Sequence, residues 1–545
     1  MPPRAGFPRV GLLHCAPVTD SLSTLIAVLA ALALATLLAP RLRLPQPLML
    51  AIAGIGLAFL PSVRAVPIDP NVLLVGFLPP LLYADAFQTS WRDFQRWLRP
   101  ILMLAIGLVA LTILTVGLVA KWMLPELPWA MCFVLGAVVS PTDTVAVQSV
   151  LEHLRVPRRM TAILGGESLV NDATGLVGVQ IGVVVALAGV FDPVHAALQF
   201  TWVAGLGVVI GVAVGLLAAL ANRLVREPSV LFTLSLLAPY FAYAIAAAFE
   251  VSGVLAVVVA GGIVAWRVHA IPTQARLQLR IAWGHLSFLL NGLCFLYIGM
   301  ESPCLLRAAS GLGSGLWLAG LAVAATVIVT RIVWCFPNAY VPLYLLPRLR
   351  AREGGYPSVR GVTLVSWCGV RGAVSLAAAL ALPAVTSEGM PFPGRQEVIA
   401  CTLAVILATL CLQGATLHPL VRLLGLGDDG TTAAEVRRAR ESLLGAGIAR
   451  LDEFCSATSC PVAVHRFREA MADQLAALRA DDAAERAHAA HRLEVSRDVQ
   501  QAVFTAQERE LLRLRDAGAI DDQAYSLLLL QLDAAIAGMS ADAVG

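Results

Sequence analysis

The feature that most constrains this chain is a succession of apolar runs, each about 20 residues long, the length an α-helix needs to cross a hydrocarbon core about 30 Å thick. They fill residues 21 to 424 between Arg- and Pro-rich breaks and resolve into about thirteen spans. The fifth lies near 129–151, the sixth near 160–189, the eleventh near 315–346 and the twelfth near 359–383. Charge is scarce to match. Of the 545 residues, 58% are hydrophobic and 14% are Asp, Glu, Lys or Arg, against about 25% charged in a soluble globular protein. An ordinary cytosolic enzyme is excluded, and the expected fold class is an all-α polytopic membrane protein.

The charge is also unevenly spread. Of 75 charged residues 33 fall in the last 118 positions, so residues 1–427 are about 10% charged and residues 428–545 about 28%. This divides the chain into an extracytoplasmic N-terminus (1–20), a transmembrane domain (21–427) and a cytoplasmic helical tail (428–545). Loops after odd-numbered spans carry seventeen basic residues and those after even-numbered spans four. Basic loops stay inside, so the N-terminus is expected outside and the C-terminus in the cytoplasm. The run from Leu22 to Leu38 is long enough to span, and reads as a first transmembrane helix rather than a signal peptide.

Cys132, Cys294, Cys335, Cys368, Cys401 and Cys411 lie in or beside apolar spans and read as small core residues. Cys455 and Cys460, followed by His465, lack the second half of a metal site and read as unremarkable buried thiols. The tail has helical periodicity, as in Glu508 to Arg515, and Asp516 to Asp521 reads as a helix stop followed by the cap of a final helix.

Inside the spans an ionised side chain costs about 2.5 to 3.5 kcal/mol even on lenient insertion scales, so each needs a partner or a function. Five stand out: Asp143, Glu167, Asp172, Arg331 and Arg371. Asp85 sits nearer the end of its span. Asp143 follows Ser140-Pro141-Thr142 in the fifth span. Pro141 has no amide hydrogen and clashes with the preceding turn, so the helix should break there and free carbonyls beside Thr142 and Asp143. Carbonyls, a hydroxyl and a carboxylate are what a dehydrated hard cation needs. In the sixth span, helical spacing puts Ser168 and Asp172 on one face, with Glu167 and Asn171 on an adjacent one. Burial disfavours the charged form of a carboxylate, which suits Asp172 to take up a proton near neutral pH. Arg331 and Arg371 each need a carboxylate, freed carbonyls or water. Gly369 and Gly372 around Arg371 suggest a second broken helix in span twelve. Broken spans at related places in two halves are the pattern of an inverted-repeat secondary transporter.

Taken together, Phe77 to Asp85, Ser140 to Asp143, Gly166-Glu167-Ser168 with Asn171-Asp172, Arg331, and Gly369 to Ala373 are highly specific. At these residues, over about 21–427, the chain resembles the bacterial sodium/proton antiporters of the monovalent cation:proton antiporter family, which also contains the animal sodium/proton exchangers. The resemblance implies thirteen helices, with helices five and twelve crossing at the ion. It also implies a dimerisation domain, a mobile core domain and a homodimer working by elevator-like movement. Carried over, Asp172 is the carboxylate that alternately binds cation and proton. Asp143, Ser168 and Thr142 complete the shell, sodium sitting at Asp143 and Asp172. Glu167 and Arg331 form a structural ion pair, and Pro141, Asn171 and Arg371 are supporting residues. Asn171 before Asp172 matches the branch that exchanges one sodium for one proton without net charge.

The expected function is therefore secondary exchange of sodium, or of lithium or potassium, for protons, not an enzymatic reaction. No cofactor is expected beyond the transported Na+ and H+. The partners are the cation, the proton, the lipid bilayer of the inner (plasma) membrane and a second copy of the chain, with no nucleic acid. A cation channel is the alternative from another class, but no repeated filter-like loop is present. Gly425-Leu426-Gly427-Asp428 matches a short pattern of intramembrane proteases, which a helix-ending glycine explains.

Overall fold

A computed structural model of the chain describes residues 18–42, 44–60, 72–143, 147–148, 151, 154, 156–188, 193–225, 227–268, 271, 273–310, 314–385, 390–426, 431–457 and 462–479, with 503, 505–514, 517, 528–529 and 532 of the last segment. The chain divides into two compact units, Met1–Gly427 and Asp428–Gly545. Among the described residues the fold is helical, with one isolated β-bridge between Val385 and Pro391.

In the first unit the helices are α1 (Val18–Leu42), α2 (Gln46–Leu57) and α3 (Leu78–Gln88), the last entered through a π-helical turn, Val72–Phe77. There follow α4 (Leu98–Met123), α5 (Trp129–Val139), α6 (Arg158–Ala188), α7 (Pro193–Leu224) and α8 (Pro228–Ala248). Then come α9 (Gly253–Trp266), α10 (Thr273–Ser310), α11 (Ser314–Leu345), α12 (Val359–Trp367), α13 (Ala373–Leu380) and α14 (Arg395–Leu424). Helix starts are written locally. Pro47 and Pro228 sit in first turns, where a missing N–H costs nothing. Ser252 and Ser358 cap α9 and α12 by accepting the N–H of Leu255 at 3.2 Å and of Gly361 at 3.1 Å. Among the described residues eight helices are long and apolar enough to cross a membrane, and α2, α5 and α9 are shorter apolar helices. Large apolar side chains such as Leu37, Leu217 and Val333 point outward, as a bundle solvated by lipid requires. Cys411 departs from the core reading of the cysteines, because it is exposed on α14.

Helix α9 packs against α3, α7 and α8, and in a second set α5 packs between α4 and α6, and α11 against α4, α12 and α14. Helix α1 lies on α2 and α2 on α10. The α2–α10 contact is made backbone to backbone: a Cβ at Gly54 would overlap the Leu296 carbonyl, and one at Gly299 the Ala51 carbonyl. Helix α10 touches both sets, through α3 and α8 and through α13 and α14, and α6 meets α3 and α9 lightly. The apolar core of α1, α2 and α10 runs on into that of α4, α5 and α14.

Two interruptions position the site. Helix α5 stops at Val139 and residues 140–143 are non-helical, as the missing N–H of Pro141 dictates. Residues 368–372 likewise separate α12 from α13. The two breaks meet, with the Asp143 N–H donating to the Val370 carbonyl at 2.8 Å. Only glycine fits at 372, since a Cβ there would run into the Asp143 carboxylate. Facing them, α14 carries a π-helical turn, Leu410–Gly414, and Thr409 Oγ1 just before it accepts the Arg371 N–H at 3.1 Å.

In the second unit α15 (Thr431–Ala457) and α16 (Val462–Arg479) pack together, with Arg468 Nε 2.5 Å from Asp452 Oδ1. Residues 505–514 are helical, and Asp516 to Asp521 lie outside the described residues apart from Ala517. The reading of Cys455 as an unremarkable thiol needs correcting, because this residue is disulfide-bonded. Cys460 lies outside the described residues.

Candidate cation site

The site begins with Thr142 in the first break, which three residues of α6 hold in place. Its hydroxyl accepts from Asn171 Nδ2 at 2.7 Å and donates to Glu167 Oε1 at 3.2 Å. Its carbonyl accepts the Ser168 hydroxyl at 3.0 Å. One turn beyond Ser168, Asp172 is buried at 5% exposure, and its Oδ1 has no hydrogen-bond partner.

Behind this arrangement lies a buried ion pair. Glu167 and Arg331 are each 1% exposed. Arg331 Nη1 bonds Glu167 Oε1, and Nη2 donates to Oε2 at 2.8 Å. Two more guanidinium hydrogens go to the Val365 carbonyl of α12, from Nε at 3.2 Å and Nη2 at 3.1 Å. Both charges are thus paired in the two-pronged geometry that suits Arg and carboxylate. Arg371 meets no carboxylate among its hydrogen bonds. Its Nη1 donates to the freed Gly369 carbonyl at 3.0 Å, and its Nε is without a partner.

A cavity of about 40 Å³ collects the groups that can hold an ion. Asp143, Asp172, Ser168, Thr142 and Pro141 lie on its wall, with Asp85, Asn291, Gly372 and Ser375. Glu167, Asn171, Arg331 and Arg371 do not line it. Of the added residues, Asp85 is visible in the sequence as a charge in an apolar run. Asn291 and Ser375 carry no comparable signal, because lone amides and hydroxyls are common in apolar helices. Carboxylate and hydroxyl oxygens dominate the polar part of this wall, a donor set for a hard cation.

Asp85 also lines a larger cavity of about 470 Å³ with Gln88, Thr89, Asp93 and Arg158, at the end of α3 and the start of α6. There Asp93 Oδ2 accepts from Arg158 Nε at 3.0 Å and Nη2 at 2.8 Å. Toward the start of α3 the neighbouring cavity is walled by Phe77, Leu78, Leu81, Tyr297, Ile298 and Leu376 among others, and offers no carboxylate. The candidate cavity thus shares Asp85 with a larger polar cavity, and Leu78 and Leu81 with an apolar one.

Residues 26–423 match the family profile described as sodium/hydrogen exchanger, transmembrane. The chain is 34% identical over 525 residues to an uncharacterized Na+/H+ exchanger of Mycobacterium tuberculosis, covering 94% of this chain and 95% of that one. It is 31% identical over 394 residues to a sodium, potassium, lithium and rubidium/H+ antiporter of Bacillus subtilis, covering 68% of this chain and 56% of the relative. In fold it is similar to the sodium proton antiporter MjNhaP1 from Methanocaldococcus jannaschii, with a TM-score of 0.58 at 20% identity over 74% of this chain and all of that one. With a family match of this extent over a helical bundle that holds a carboxylate-lined cavity, the chain belongs to the transmembrane sodium/hydrogen exchanger family and is a monovalent cation:proton antiporter.

Proposed function

We propose that the chain exchanges one sodium ion for one proton without net charge, through alternating access of the cavity at Asp143 and Asp172. The observation that carries this reading is Asp172 itself, a buried carboxylate on the cavity wall with an oxygen that no group among the described residues satisfies. Such a group must hold either a proton or a cation, and it cannot hold both. Sodium arriving from one side expels the proton, and the reloaded site carries a proton back. Asn171 supports the one-for-one count, since it is neutral and engaged by Thr142. Glu167 and Arg331 serve as a structural pair that keeps α6, α11 and α12 together, with Pro141 and Arg371 maintaining the two breaks.

The larger polar cavity that shares Asp85, at the end of α3 and the start of α6 beside the basic loops, supports an inward-facing state. The light contacts of α6 with α3 and α9 support an elevator in which α5, α6 and the α12–α13 break slide against α3, α7, α8 and α9 in a homodimer. The chain then crosses the plasma membrane thirteen times, with the N-terminus outside and the tail in the cytoplasm. The name of the Bacillus subtilis relative makes potassium, lithium and rubidium the other cations to compare with sodium.

A tenfold proton gradient supplies about 1.4 kcal/mol per proton, enough to hold a tenfold sodium gradient in one-to-one exchange. Purified protein in liposomes with an imposed pH gradient is expected to accumulate radioactive sodium to that limit, with no current on a supported membrane. Absence of gradient-driven uptake would remove the reading, and a sodium-driven current would remove the one-to-one count.

A further inference from the structure

Buried polar atoms without a partner are few in a native protein, and each calls for a reason. Among the described residues, two such atoms belong to side chains on the wall of the same ion cavity, Asp172 Oδ1 and Ser375 Oγ. They approach from different elements, Asp172 from the middle of α6 and Ser375 from the first turn of α13, just beyond the second break.

The missing partner of Ser375 has a local cause. A buried serine or threonine in a helix usually bonds the carbonyl four residues back, as Ser302, Thr402 and Thr409 do here at 2.6, 2.7 and 2.8 Å. Four residues before Ser375 is Arg371, which lies in the non-helical stretch 368–372. The break therefore removes the usual acceptor while Ser375 stays 1% exposed. An unsatisfied buried hydroxyl costs about 1–3 kcal/mol, so leaving it on this wall needs a ligand to offset the loss.

We propose that Ser375 is a ligand of the transported monovalent cation, its hydroxyl oxygen completing from α13 the shell that Asp143 and Asp172 supply from the first break and α6. This deepens the site reading above and rests on it. A cation held this way bridges both broken elements, so its binding stabilises their crossing. The proton form has no use for the Ser375 lone pairs, which makes Ser375 a discriminator between cation and proton at a shared site.

The test is sodium titration of purified full-length protein, read both as exchange in liposomes and as thermal stabilisation by NaCl over choline chloride. Ser375→Ala is expected to raise the sodium KM and the stabilisation midpoint together by about three- to tenfold, the equivalent of about 0.7–1.4 kcal/mol, with the larger effect on KM rather than on maximal rate. Ser375→Cys keeps the volume but offers a soft sulfur, and is expected to show the same loss, whereas Ser375→Thr restores affinity. A folded Ser375→Ala or Ser375→Cys protein with wild-type KM and midpoint would overturn the proposal. Failure of the site reading looks different: the wild-type protein would then show neither sodium stabilisation nor exchange.

Discussion

The backbone N–H of Asp143 donates to the carbonyl of Val370 at 2.8 Å, and through this bond the two broken helices share one crossing point. It orients the carboxylate-bearing residue of one break by the backbone of the other, so the cavity keeps its shape only while both breaks are intact.

Gly372→Ala tests that dependence. The added methyl would meet the Asp143 carboxylate, and forced overpacking typically costs about 1–3 kcal/mol. The variant is expected to lower the unfolding midpoint modestly and to weaken sodium exchange far more, as read by melting and by flux on the same preparation. A variant with normal flux would mean that Asp143 is not held by the crossing.

Glu167 and Arg331 should behave as a unit. Removing one partner of a buried pair leaves an uncompensated charge at about 3–5 kcal/mol. Glu167→Gln and Arg331→Met are each expected to give little folded protein by detergent size-exclusion chromatography. The double variant should recover a substantial part of the yield, because no charge is then stranded.

Competition at one site fixes a pH dependence. If proton and sodium exclude one another at Asp172, the apparent sodium KM rises as pH falls, approaching about tenfold per pH unit in the acidic limit, while the rate at saturating sodium stays level, by the reciprocity of linked binding. A falling maximal rate at constant KM would point to a separate proton site.

Much of this arrangement is legible in the sequence for one physical reason: a charge inside an apolar run is too costly to be incidental. Asp143, Asp172, Glu167, Arg331 and Arg371 announce themselves that way, and Pro141 and the glycines around Arg371 mark where the helices part. Less visible was how Thr142 is used, with its hydroxyl and its carbonyl engaged by three different α6 side chains. Ser375 and Asn291 stayed hidden because a single hydroxyl or amide in a helix is cheap when it can bond its own backbone. What sets Ser375 apart is a missing acceptor one turn back, and that depends on where α13 begins. The exposure of Cys411 and the disulfide at Cys455 escaped for a related reason, since neither the facing of a cysteine nor its pairing follows from spacing alone.

Asp85 lines both the ion cavity and the larger polar cavity, so Asp85→Asn is expected to raise the sodium KM several-fold when sodium is offered from the side of the larger cavity and little from the other. Oppositely oriented vesicles measure the two sides separately. An equal rise on both sides would make Asp85 a ligand of the site itself instead of a group on the way in.

Exchange as proposed here turns on an Asp172 carboxylate that alternates between proton and cation. Sodium-dependent collapse of a pH gradient in everted membrane vesicles, compared between wild type and Asp172→Asn at matched expression, reads this alternation. Robust collapse is expected in the wild type and none in the variant, whose amide carries neither a titrating proton nor the charge to hold sodium. Wild-type exchange by Asp172→Asn would mean that this carboxylate is not the shared site.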